Sequence, residues 1–368
     1  MNDSLPTPYV HPSSLSREQV AQIGAELDAM RQRVMQSLGQ ADVDHMRRMI
    51  RLCRASEAGG RALLHFGVGP LSWLAGVAAL TASKILDNME IGHNVMHGQY
   101  DWTGDPALNS QHFDWDIACD SESWRHSHNV VHHSYTNILG KDRDLGYSLL
   151  RITPEQRWKP RHLLQPLANL LLALGFQYGV GSHDLELGRY RHGALAKPVF
   201  MERWRRFKAK VGRQWFKDYL LFPALALWSA PRVLAGNLLA NLLRNLWTYL
   251  IIFCGHFTEH AVIYREEDCR NETRGDWYLR QIAGSSNLSG GVWFHIATGH
   301  LSHQIEHHLF PDMPAHRYRE IAPEVQALCA RYGLRYNTGG LFRQSMAVMR
   351  RILVHTLPTR VSTPTPAR

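Results

Sequence analysis

Residues 63–97 read LLHFGVGPLSWLAGVAALTASKILDNMEIGHNVMH, and this stretch decides the fold. Its first 21 residues, Leu63 to Ser83, carry no formal charge. At the helical rise of about 1.5 Å per residue, such a run is long enough to cross a hydrocarbon core of about 30 Å. Gly67, Gly69 and Pro70 interrupt it, which predicts a bent hairpin whose second leg runs from Leu71 through Ile85 into the histidine pair His93 and His97. A membrane helix ending in paired imidazoles sets metal-ligating side chains at a membrane surface.

Further along, an uncharged run spans Leu163 to His183, and two more, Tyr219 to Pro231 and Val233 to Thr258, predict a second hairpin turning near Pro231. The chain therefore reads as all-α, an integral membrane helical bundle of about four crossings with a cytosolic helical cap. All histidine clusters share one side only if an even number of crossings separates the second from the third. The Leu163 to His183 run, which carries Gln165, Asn169 and Gln177, is accordingly expected to lie along the interface. The formal charge of +9 is concentrated beside apolar runs, at Arg47, Arg48, Arg51, Arg54 and Arg61 and in ten Lys/Arg between residues 184 and 217. This is the positive-inside pattern and not a nucleic-acid patch, and it places both ends and the clusters in the cytosol. A soluble helical protein is the rival reading, favoured by a mean hydropathy of −0.29. The five cysteines form no CxxC pair and the N-terminus shows no secretory h-region, so a reducing compartment without disulfides is expected. Residues 1–58 read as a cytosolic N-terminal segment, 59–345 as the main domain and 346–368 as a tail. Residues 1–20 and 356–368, rich in Pro, Ser and Thr, read as disordered ends.

Of the 22 histidines, 14 fall in residues 93–133, 256–260 and 295–308. His93 and His97 share one helical face, as do His128 and His132, whereas His133 is turned by about 100°. Adjacent histidines can thus address two different metal ions, and a second adjacent pair, His307-His308, follows Gln304 by one turn. Imidazole in such number suits iron, copper, nickel or zinc and not magnesium or calcium. There is no H-E-x-x-H, and a catalytic zinc takes about three protein ligands, so the excess points to two metals and to activation of dioxygen instead of water.

His93-x-x-x-His97, His128-x-x-x-His132-His133 and Gln304-x-x-His307-His308, with Gln304-Ile-Glu-His-His-Leu-Phe-Pro311 at the last, resemble in order and separation the three histidine boxes of the membrane fatty acid desaturases. The resemblance covers roughly residues 60 to 340 and is nearest to bacterial acyl-CoA desaturases of the linoleoyl-CoA-desaturase type. It implies two iron ions as cofactor, held by His93, His97, His128, His132, His133, His307 and His308 together with His256 at the end of the last membrane helix. Dioxygen would be the co-substrate, and no separate acid, base or nucleophile is needed. Gln304 stands where many members carry histidine, so it is expected to act by hydrogen bonding or through water. His260, His300 and His303 are candidates for weaker or outer positions, with Glu90, Asp116, Glu122, Asp142, Asp144, Glu259 and Glu306 as carboxylates that could orient ligands. Trp73, Trp115, Trp124, Trp247 and Tyr249 are candidates for an acyl tunnel or an interfacial belt.

The resemblance implies an integral protein of the bacterial inner membrane that places a cis double bond in a long acyl chain. Residues 141–151 and 189–217 are expected to meet coenzyme A phosphates, which favours acyl-CoA over a phospholipid acyl chain, with insertion near the middle of the chain. His11-Pro-Ser-Ser14 is not a haem-domain motif, so electrons are expected from a separate protein of the ferredoxin or flavin reductase type. A diiron hydroxylase of acyl chains or alkanes shares the ligand pattern. A non-catalytic membrane metal-binding protein is the alternative of another class, and no nucleic-acid partner is expected.

Overall fold

Ser16 opens the first helix, α1 (Arg17–Gln36), through a reciprocal cap in which its hydroxyl accepts from the Gln19 amide and the Gln19 side chain accepts from the Ser16 amide. Val20, Ile23, Leu27, Met30 and Val34, three or four residues apart, form its buried stripe. They pack with Tyr278, Ile305, Phe310 and Val325 in one core cluster. Residues 9–20 are therefore part of the fold in this computed structural model, which describes residues 9–358. The expected disordered ends lie otherwise largely outside the described residues. The next helix, α2 (Gln40–Phe66), runs unbroken past residue 58.

The chain reverses at Gly67 and Val68 into α3 (Gly69–Met96), with Pro70 in its first turn, where a missing N–H costs nothing. A second helical segment carrying histidines covers residues 121–135, α4. The Leu163 to His183 run forms α5 (Gln165–Leu174) and α6 (Phe176–His183), parts of a helix pair bent by 101°. Leu163, Leu164, Leu167, Leu170 and Leu171 are left exposed along it. The basic helix α7 (Lys197–Trp215) leads to the second hairpin, whose turn falls at residues 226–229. It comes before Pro231 and not at it, because Pro231 occupies the first turn of α8 (Ala230–His256).

The two hairpin turns meet. Arg232 donates to the Gly67 carbonyl, Trp73 Nε1 donates to the Arg232 carbonyl (3.0 Å), and His65 Nε2 lies 3.2 Å from the Phe222 carbonyl oxygen. Phe66, Val68, Leu71, Leu227 and Trp228 are exposed at this pole, as a lipid-facing end requires. Among the described residues, two helices, Gly69–Met96 and Leu227–His256, are long and apolar enough to cross a membrane, or three if the bent pair is one span. Both run from the hairpin pole toward the histidines.

Beyond α8 follow α9 (Arg274–Gly284), α10 (Gln304–Leu309), α11 (Tyr318–Arg331) and α12 (Leu341–Val354). One departure from all-helical structure is a parallel pairing of β1 (Asn287–Ser289) with β2 (Thr338–Gly340), Leu288 facing Gly339. It closes the loop that carries the third histidine box.

Candidate metal centre

α3 and α4 do not remain α-helical where their histidines lie. Residues Leu86–His93 and Arg125–His132 form wider π-helical turns, a local geometry common at functional sites. The His93 and His97 rings stay neighbours, with centroids 4.5 Å apart, and His128 stacks on His132 at 5.0 Å. Two close approaches then bring in the remaining segments. Gly299 sits at φ 61°, and a Cβ there would fall 2.3 Å from the Met89 carbonyl oxygen. Only glycine lets the third-box loop touch α3 in this way. Gly255 faces the Gln304 side chain, which an added Cβ would meet at 2.9 Å.

All eight histidines expected as ligands converge, and they sort into two groups. His93, His97, His128 and His307 bring ligand nitrogens within 4.8 Å of one another; so do His132, His256 and His308. His133 lies between, grouped with His307 and His308. The adjacent histidines of the third box thus face different groups.

The hydrogen bonds around the rings point one nitrogen of several imidazoles inward. His132 Nδ1 donates to both oxygens of Asp142 (3.1 Å each). Tyr318 donates its hydroxyl proton to the Phe310 carbonyl (3.0 Å), so it accepts from His307 Nδ1 (3.4 Å). Asn94 donates to the Glu90 carbonyl (2.9 Å), which turns its Oδ1 toward His93 Nδ1 (3.2 Å). His128 Nδ1 lies 3.5 Å from Asp144. Such outward bonds fix the tautomer that leaves Nε2 free for a metal. Inside the cluster, His97 Nε2, His128 Nε2, His307 Nε2 and both nitrogens of His133 are buried without a hydrogen-bond partner. Each such group left unpaired costs about 1–3 kcal/mol, and this concentration of orphan imidazole nitrogens is the donor set a pair of transition-metal ions would satisfy.

Burial and neighbouring imidazoles hold His97, His133, His307 and His308 well below the ordinary histidine range, so they stand neutral, as ligation requires. Burial also lowers His128, against the opposing pull of Asp144. At His132 burial works in the same sense, but Asp142 and Asp144 outweigh it and raise the ring.

Of the weaker candidates, Gln304 alone faces the ligands, with Nε2 2.9 Å from His256 Nε2. His260 is exposed, because α8 ends at His256 and the chain turns before a further helical turn can form. His300 Nδ1 pairs with Glu90 (3.0 Å), and His303 stacks on His295 with centroids 4.6 Å apart. Among the carboxylates, Asp142 and Asp144 meet ligands, whereas Glu90 bonds His45 and His300, Glu306 accepts from Asn287 and Tyr336, and Asp116, Glu122 and Glu259 pair with Lys217, Arg206 and Arg350.

A narrow cavity reaches from His93, His132 and His256 along α8 past Thr248 to Arg244. Trp115 and Trp124 line it, whereas Trp247 donates to the Ala297 carbonyl (2.7 Å) and Tyr249 to Asn169 (2.7 Å) outside it. The basic stretch is not a free cationic face. Arg203 pairs with Glu186 (2.6 Å), Arg206 with Glu122 (2.8 Å), Lys210 with Asp114 (2.7 Å) and Lys217 with Asp116. Arg143 also meets Glu186 (2.8 Å), and Arg151 is buried and donates to main-chain carbonyls. Much of the charge thus straps α7 to the residues leading into α4.

Sequence comparison agrees with this geometry. An NADPH-dependent stearoyl-CoA 9-desaturase of Mycobacterium tuberculosis is 43% identical over 350 residues, covering 94% of this chain and 82% of the relative. The sn-1 linoleoyl-lipid 6-desaturase of Synechocystis sp. is 24% identical over 284 residues, 74% of this chain and 77% of its own. Human fatty acid desaturase 3 is 28% identical over 223 residues, 59% of this chain and 46% of its own. The fatty acid desaturase family pattern matches residues 71–340, the span that contains every histidine of both groups, and the chain belongs to the fatty acid desaturase family.

Proposed function

We propose that the protein is an oxygen-dependent acyl-CoA desaturase of a bacterial inner membrane. It would hold two iron ions in the two histidine groups, on the cytosolic side, and take electrons from a separate ferredoxin or flavin reductase. The observation that carries this is the convergence of eight neutral-capable imidazoles, with unpartnered nitrogens facing inward, at the mouth of a cavity running down a candidate membrane span. The 43% identical relative named for stearoyl-CoA and NADPH favours a saturated acyl-CoA and insertion near the middle of the chain. Two helices pass the length test for spanning, and the pinned pair of hairpins supports about four membrane-embedded legs.

Bound in these groups, iron would supply the oxidising chemistry; one dioxygen, two electrons and two protons, with the two hydrogens taken from adjacent methylenes, leave as two waters. The chain's part is placement. Asp142, Tyr318 and Asn94 orient the rings, Gln304 holds His256 from the side where a ninth imidazole would otherwise stand, and Trp115 and Trp124 keep the cavity beside the centre apolar.

The test is to supply membranes with defined acyl-CoAs, reductase and NAD(P)H and to locate the change by mass analysis. Loss of two hydrogens supports the reading. Gain of one oxygen would make the protein a hydroxylase. Metal binding without oxygen consumption under any donor would make it a carrier, and product formed only on intact phospholipid would refute the acyl-CoA substrate.

A further inference from the structure

The last helix, α12 (Leu341–Val354), begins where the family pattern stops, at residue 340. One face is fully used: Gln344, Val348 and Ile352, at successive turns, are buried against the body. The opposite face is apolar and uncovered. Phe342 is 80% exposed, Met346 53% and Leu353 57%, whereas Met349, at the edge of this stripe, is half-buried against the core beside Asn169. Arg343 and Arg350 border this stripe, and no Asp or Glu occurs from residue 341 to 354. Arg343 is exposed with no ion pair among the described residues, and Arg350 meets Glu259 at 3.5 Å, both partners largely in solvent.

The contacts of α8 give the depth at which this face lies. Asn245 donates to the Leu174 carbonyl (2.9 Å) and Tyr249 to Asn169 (2.7 Å), so the leucine-studded α5 sits against α8 two to three turns before its end. Farther along, Cys254 Sγ lies 3.6 Å from Ser345 Oγ, and Arg351 donates to the Thr258 carbonyl (2.7 Å). α12 therefore crosses the very end of a candidate membrane span. Gln165 Nε2, donating to the Ile352 carbonyl (2.7 Å), ties α12 to α5, whose own leucines are exposed. An amphipathic helix at that depth, cationic and without acids, matches the boundary of acyl chains and anionic headgroups.

We infer that α12 lies in the plane of the membrane surface, with Phe342, Met346 and Leu353 among the acyl chains and Arg343 and Arg350 on anionic phospholipid headgroups. The assignment rests on the position of the span and not on the reaction. It is tested on the full chain reconstituted in vesicles of phosphatidylglycerol and phosphatidylcholine, or of phosphatidylcholine alone, with a spin label at Met346→Cys. Cys269→Ser removes the half-buried thiol, the other four being buried. The label should collide several-fold more with oxygen than with a water-soluble nickel chelate, and a label at Glu324→Cys, on α11, should do the reverse. Arg343→Glu with Arg350→Glu should raise nickel access several-fold in the anionic vesicles and little in the neutral ones. Arg343→Gln with Arg350→Gln reads the same direction should the first variant fail to insert. Nickel access at 346 equal to that at 324 would overturn the inference. So would charge variants that leave label depth unchanged and instead weaken binding of the electron-donor protein, because the face would then be a protein-docking surface.

Discussion

His132-His133 and His307-His308 show how much adjacency means in a helix. Each pair is separated by about 100° around the axis, and in the third box this sends His307 to one group and His308 to the other. Replacing both members of either pair with Ala should remove product and lower bound iron by at least half, while the protein still inserts; full iron in either double variant would refute the ligand assignment. A second residue-scale prediction lies outside the centre, where His316 Nε2 lies 2.9 Å from Asp42 Oδ1, beside Arg317. Burial, with His45 adding to it, pushes His316 down to about 3, whereas an unfolded histidine titrates near 6.5. The unfolded chain therefore binds more protons between these values, so this contribution to stability is whole above about pH 7 and is lost as pH falls toward 3, by about 1.4 kcal/mol per unit. Asp42 adds in the same sense at lower pH: burial pushes it up, but Arg317 and the Gly39 amide outweigh that and hold it below the usual carboxylate range. His316→Gln should flatten the fall in Tm between pH 7 and 5, and an unchanged slope would show that His316 is not its source. Nothing in the sequence marks this latch, because His316 is far along the chain from Asp42 and His45, a turn apart on α2, and only tertiary packing brings it to them.

At the scale of elements, the long apolar runs and the order of the boxes were legible, since both depend on composition and spacing within one helix. The π-helical turns were not. A spacing of four reads the same in an α-helix, and the wider turn is set by what α3 and α4 pack against. Deleting Met89 from the Leu86–His93 turn should convert it to α-helix, keep His93 near its register and remove the wider backbone turn against which Gly299 seats the third-box loop. Helix content by circular dichroism should hold while iron is lost; retained iron would show that the π turn is dispensable. The basic helix α7 was read from its charge alone as a partner surface, but its acidic counterparts at residues 114–122 and 186 are supplied by folding.

For the whole molecule, the two hairpins are joined away from their turns by a buried pair, Lys84 Nζ to Asp218 Oδ2 at 2.8 Å, with Arg61 3.6 Å from Asp218 and Asn241 also donating to that carboxylate (3.0 Å). Asp218→Asn leaves the buried Lys84 only the more distant Asp116, at 3.7 Å, and should cost up to about 3–5 kcal/mol, whereas Lys84→Met with Asp218→Leu should recover most of it. Thermal unfolding in detergent checks both, and a double variant no more stable than the single one would refute the account. The β1–β2 pairing bears on a different matter, the order of events during synthesis. It joins Asn287 to Thr338, and the third box lies inside that closure, 215 residues after His93 at His308. A ribosome takes roughly 10–40 s to cover that distance. The first hairpin stands made for all of that time with its two histidines of the eight, His93 and His97, and without the third box to close against. The histidine cluster is thus completed only once the chain has been made to residue 340, and a metal that needs all of its ligands would bind after that closure.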